Sequence, residues 1–111
     1  MNESYDIATN TWATRAPMPT ARSGTGIAAL DGKIYVLGGE GWVDDFGGVF
    51  RANEVYDPST NTWSRAARMI TPRHGFAVAQ VGKTIYAVSG VNNAGGAGTL
   101  SVVPVNEIYE P

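Results

Sequence analysis

The sequence predicts an all-β fold assembled from about two tandem units, each of four short antiparallel strands. Three observations carry this. The chain repeats itself at an offset of 51 residues: Glu3-Ser4-Tyr5-Asp6 returns as Glu54-Val55-Tyr56-Asp57, and Thr9-Asn10-Thr11-Trp12 as Thr60-Asn61-Thr62-Trp63. The register holds without a gap through Met18/Met69, Thr20/Thr71, Arg22/Arg73 and Gly39/Gly90, so that 16 of the 37 positions from Glu3 to Gly39 are identical. Short apolar runs alternate with turn residues, and Pro or Gly interrupts every window long enough for a helix. A fixed period of about 50 residues sets the architecture before local propensity is weighed.

The strands follow in order. Residues 25–30 form the first strand of a unit, and Asp31-Gly32 is its turn, because both residues tolerate positive φ. Residues 33–37 form the second strand. It ends at Gly38-Gly39, where the chain requires unusual dihedrals or room for a neighbouring backbone. A long loop, 40–53, leads to the third strand at 54–56. The segment Asp57-Pro58-Ser59-Thr60-Asn61 is a turn, since Pro cannot continue a ladder and Asp, Ser and Asn bond to local backbone. Residues 62–65 are the fourth strand and carry Trp63. The second unit copies this with strands at 76–81, 84–89 and 105–109. The repeats are read as 3–53 and 54–106, with the start of a third at 107–111, all in one region spanning 1–111.

Four antiparallel strands per 50 residues, repeated, describe the blades of a β-propeller. The glycine doublet Gly38-Gly39 after a second strand, then Tyr56, then Trp63 seven positions on, resembles the kelch repeat. Tyr5 and Trp12 supply the second half of that pattern in the first copy. The second doublet reads Ser89-Gly90, a departure that bears on how that blade packs. The resemblance covers essentially the whole chain and implies kelch-type β-propeller blades, here as a partial propeller. Trp12 and Trp63 are suited to filling the wedge between blades, with Tyr5, Tyr56 and Tyr109 in similar roles.

Propellers close with about four to eight blades, and two leave uncovered faces. Such a face measures about 350 Å² from strand spacing and length. Its burial would contribute up to ~9 kcal/mol. The chain starts and ends in a third strand, which is how a piece of a longer array reads. Further blades are expected from a parent chain or from homo-oligomerisation, three copies making six blades.

Composition narrows function by exclusion. Net charge is −2 with the signs interspersed, so no basic block marks a nucleic-acid partner. No apolar run approaches the ~18 residues needed to span a membrane. There is no cysteine, hence no disulfide or thiolate metal site. His74 is the single histidine, so no multi-histidine metal site can form within this chain. No cofactor is expected and no catalytic residue is assigned.

Two sets of residues stand where propellers bind. Arg22-Ser23 and Arg73-His74 immediately precede innermost strands, and in the kelch family that ring of positions often faces the central pocket. Arginines there imply an acidic protein or peptide, recognised bidentately. The alternative is that the repeated arginine bonds backbone carbonyls or an acidic side chain between blades. The second set is the loop with Trp42, Asp44, Asp45, Phe46 and Arg51, long and aromatic enough to be a binding loop, or to fold back as a cap. The resemblance thus implies a non-catalytic protein- or peptide-binding scaffold. It leaves as an alternative a carbohydrate-active kelch enzyme, of the sugar oxidase or sialic acid mutarotase kind, with its catalytic residues outside this chain.

Overall fold

The computed structural model describes residues 1–41, 48–96 and 102–111. Among the described residues nine strands occur: β1 (Glu3–Asp6), β2 (Thr11–Thr14), β3 (Gly26–Leu30), β4 (Lys33–Leu37), β5 (Asn53–Asp57), β6 (Thr62–Arg65), β7 (Ala77–Val81), β8 (Thr84–Val88) and β9 (Asn106–Tyr109). They form three antiparallel sheets: a β1-β2 hairpin, a complete four-stranded blade β3-β4-β5-β6, and a three-stranded blade β7-β8-β9. We call the last two the first and second blade. By the repeat, β1, β5 and β9 are all third strands.

Turn chemistry fixes the registers. Asp31 and Gly32 both take positive φ (50° and 74°), the type I′ pattern whose twist suits a tight hairpin, and Leu30 pairs with Lys33 across it. Asn10 and Asn61 sit in the left-handed region at φ 56° and 54°. Each turns its side-chain oxygen to a tyrosine hydroxyl, Tyr5 donating to Asn10 at 2.5 Å and Tyr56 to Asn61 at 2.8 Å. The same tyrosines lie 5.1 Å, ring to ring, from Trp12 and Trp63. The repeated Tyr/Asn/Trp set is therefore one local device, used twice.

The core lies between the two blades. Alternation along β3 turns Gly26, Ala28 and Leu30 to the second blade, and Tyr35, Leu37 and Val55 join them. The facing side supplies Ile85, Ala87, Phe76, Val78 and Tyr109, with Met69 from the connection. Tyr35 and Tyr109 meet at 5.9 Å, tilted by 52°. The blades approach closely enough that a Cβ on Gly26 would lie 2.2 Å from Val78 Cγ2, and one on Gly38 2.5 Å from the Arg73 carbonyl. Both glycines serve the interface with the second blade.

The two tryptophans have different surroundings. Trp63 is half-buried and its Nε1–H donates to the Ala16 carbonyl at 2.8 Å, tying the first blade to the segment that follows β2. The Ala16 N–H returns a bond to Asn61 Oδ1 at 2.8 Å. Trp12 is 69% exposed. Trp63 thus bonds a segment outside its own blade, whereas Trp12 lies against Tyr5 of its own hairpin. Trp63→Ala should therefore cost roughly 2–3 kcal/mol, below the ~3–5 of a fully buried aromatic. Trp12→Ala should stay near the ~0.5 kcal/mol of a surface change. Equal shifts of the urea midpoint would contradict this.

Candidate functional site

Both repeated arginines are enclosed and paired inside their own blades. The Arg22 side chain is fully enclosed. Its Nε donates to Gly38 O (2.7 Å), Nη1 to Thr20 O (3.0 Å) and to Glu54 Oε2 (2.5 Å), and Nη2 to Val36 O (2.9 Å). The other carboxylate oxygen of Glu54 accepts from the Thr20 hydroxyl at 2.7 Å. Arg73 repeats the device in the second blade. It donates to Thr71 O (3.2 Å) and Ala87 O (2.9 Å), and pairs with Glu107 Oε1 at 3.0 Å. Each arginine thus clamps the segment leading into an innermost strand to the second and third strands of its own blade. Enclosure and pairing remove both guanidinium groups from the surface where an acidic ligand would meet them, so the internal-tie reading is the one the geometry favours.

Glu54 and Glu107 are the partners that sequence reasoning did not connect to the arginines, although each heads a repeated third strand. Burial would raise the Glu107 carboxyl. Hydrogen bonds from Thr71 and Arg73, the Arg73 charge and the Ile70 N–H outweigh that and hold it below the usual carboxylate range.

Ser23 and His74 do reach the end of the blades. Short bridges extend each sheet there, Ser23 with Glu40 and Glu40 with Val49 in one blade, His74 with Val91 and Val91 with Val102 in the other. Glu40 crosses between blades. Its Oε1 lies 3.6 Å from His74 Nδ1, and its Oε2 accepts the Gly95 N–H at 2.7 Å. His74 Nε2 is 3.0 Å from the Asn93 carbonyl. A carbonyl only accepts, so Nε2 carries a proton. When Nδ1 is protonated as well, the imidazolium and Glu40 form an ion pair across the blade junction.

Beside this junction lies an open cavity of about 430 Å³, lined by Ser23, Glu40, Gly41, Ala94 and Gly95. It brings together residues of both long loops, and among the described residues that line it Glu40 is the charged one. Sequence reasoning missed Glu40, whose signal was an acidic residue directly after the glycine doublet. Of the loop candidates, Arg51 is half-buried and its carbonyl accepts the Met69 N–H at 2.9 Å, near the blade interface. Trp42, Asp44, Asp45 and Phe46 lie outside the described residues. Among the described residues no group of three or more His, Asp or Glu is placed to hold a metal ion.

Blades of this topology, packed face to face through glycine-lined strands and clamped by an Arg–Glu pair, define the chain as part of a repeat-built β-propeller. A family model described as the Kelch motif matches residues 21–70. A Kelch-like protein of Aspergillus terreus is 37% identical over 92 residues, covering 80% of this chain and 20% of that protein. An F-box/kelch-repeat protein of Arabidopsis thaliana is 40% identical over 90 residues, covering 80% and 23%. The mouse influenza virus NS1A-binding protein homolog is 40% identical over 77 residues, covering 69% and 11%. The solved structure of YjhT superposes with a TM-score of 0.66 at 28% identity, covering 75% of this chain and 25% of that one. The chain belongs to the kelch-repeat family. It spans a quarter or less of the length of these relatives.

Proposed function

We propose that this chain is part of a non-catalytic scaffold that binds a protein or peptide in the cavity where its two blades meet. The observation that supports it is the convergence of Ser23, Glu40 and Gly95 on one open cavity, with His74 Nδ1 3.6 Å from the same carboxylate. Cavities between repeats, walled by loops on a rigid frame, are favoured binding places. One of the relatives carries binding of a protein in its name. Among the described lining residues the charge is the Glu40 carboxylate, so the partner presents a lysine, an arginine or another donor-rich group. An acidic partner read by Arg22 and Arg73 would meet charges already matched by Glu54 and Glu107.

A peptide array containing basic, neutral and acidic sequences tests this, run beside a set of neutral and acidic oligosaccharides. Basic peptides should be retained, less so at high salt. Glu40→Gln should weaken them roughly five- to tenfold, about the 1 kcal/mol of a half-enclosed ion pair. Retention of acidic peptides or of sugars instead, or binding indifferent to Glu40→Gln, would overturn the proposal.

A further inference from the structure

The two sides of the blades turned away from each other each expose an apolar patch, and the two patches are related by the repeat. One is the side of the first blade turned away from the second, where Ile27 is 59% exposed and Ile34 is exposed beside it. At the 51-residue offset these correspond to Val78 and Ile85, which press on the first blade's core. The other is the side of the second blade turned away from the first. It shows Val81 (63% exposed), Val88 and Ile108 (61%). Val81 and Val88 correspond to the buried Leu30 and Leu37. One face is therefore the leading half, and the other the trailing half, of a blade-to-blade interface already present inside the chain.

The residues that differ between the two versions compensate in volume. Inside the chain Phe76 stands against two glycines. A Cβ on Gly26 would lie 2.6 Å from its Cε2, and one on Gly38 2.7 Å from its Cε1. On the free trailing face those two places hold Ala77 and Ser89, and on the free leading face the place of Phe76 holds Thr25. Large against empty inside the chain becomes medium against small on the free faces. Phe in place of Thr25 would collide with the side chains of Ala77 and Ser89, whereas threonine leaves room for them.

The hairpin adds a second match. β1 is a third strand like β9, and Glu3 and Tyr5 repeat Glu107 and Tyr109. β9 pairs with β8 through Ala87–Glu107 and Ile85–Tyr109. In the same register β1 of another chain would set Glu3 opposite Ala87, beside Arg73, and Tyr5 opposite Ile85, while β2 would supply the fourth strand that the second blade lacks among the described residues.

We propose that copies of this chain associate head to tail. The leading face of the first blade of one copy seats on the trailing face of the second blade of the next, and the incoming β1-β2 hairpin takes the third- and fourth-strand places, displacing β9. Each copy adds two blades, and propellers close with about four to eight, so the assembly closes with two to four copies. The contact is heterologous: every copy uses one of each face.

Sedimentation equilibrium over a wide range of concentration is the test, with folding checked by tryptophan fluorescence. The wild-type chain should weigh two, three or four times 11.7 kDa. Ile27→Asp, which blocks one face, and Val81→Asp, which blocks the other, should each weaken self-association by more than tenfold. Mixed together they should form a one-to-one dimer that grows no further, since each retains the face the other lacks. Thr25→Phe should prevent association, and adding Ala77→Gly and Ser89→Gly should restore it. Removing residues 106–111 should tighten association, because the displaced strand no longer competes. A wild-type chain that stays monomeric would overturn the proposal, as would single-face variants that still self-associate or a mixture that remains monomeric. A persistent monomer would assign the two faces to other blades.

Discussion

Glu54→Ala should cost about 3–5 kcal/mol, the usual consequence of removing one partner from a buried ion pair. Arg22 is fully enclosed and Glu54 nearly so, and the guanidinium cannot reach water once its carboxylate is gone. The carbonyls of Thr20, Val36 and Gly38 would still accept from it but carry no net charge to oppose its own. The loss is comparable to the low end of a small domain's whole stability of ~5–15 kcal/mol, so the variant should unfold at far lower urea or not fold. Replacing both members with apolar residues, Arg22→Met with Glu54→Leu, should recover much of it, because no unpaired charge then remains. Glu107→Ala should cost less, about 2 kcal/mol, since its carboxylate is partly exposed and water can reach Arg73 in its place. A urea midpoint for Glu54→Ala equal to wild type would show that the pair is not what holds the lead-in segment.

Gly38→Ala and Ser89→Gly should have opposite signs although the positions are equivalent in the repeat. Gly38 has φ 56°, and its missing Cβ would lie 2.5 Å from the Arg73 carbonyl, a backbone atom that cannot swing aside. The left-handed conformation costs an L-residue about 1–2 kcal/mol, and overpacking adds about 1–3 more. Ser89 holds the same conformation, at φ 61°, on a face with no described neighbour. Glycine there would remove the backbone strain and stabilise by about 1 kcal/mol. Chemical denaturation of both variants decides it, and a loss of stability in both would mean that Ser89 is held by contacts of its own.

The blades were legible in the sequence because the features that make them are local and repeated. Asp31-Gly32 specifies a two-residue hairpin wherever it stands, and the Tyr/Asn/Trp spacing brings one tyrosine hydroxyl to one asparagine oxygen within a single pair of strands. The candidate site was less so. Arg22 and Arg73 were identifiable as repeated and as placed before the innermost strands. Whether they point to solvent or into the blade depends on Glu54 and Glu107, more than 30 residues away. The same distance hid Glu40: its part in the cavity appears only when the second blade sets His74 and Gly95 against it.

By itself, then, the sequence determined the repeat, the strand order, the turns and the membership of an all-β blade family, since periodicity and turn propensity act within a few residues. Tertiary structure alone decided which repeated residues were structural and which faced outward. Burial is a property of the partner blade, and identical residues such as Trp12 and Trp63 diverge when only one of them has a neighbouring segment to bond. It also revealed why the glycine doublet changes to Ser89-Gly90: Gly38 is required by the carbonyl and the phenyl ring of the blade packed against it, and no described blade imposes that requirement on Ser89.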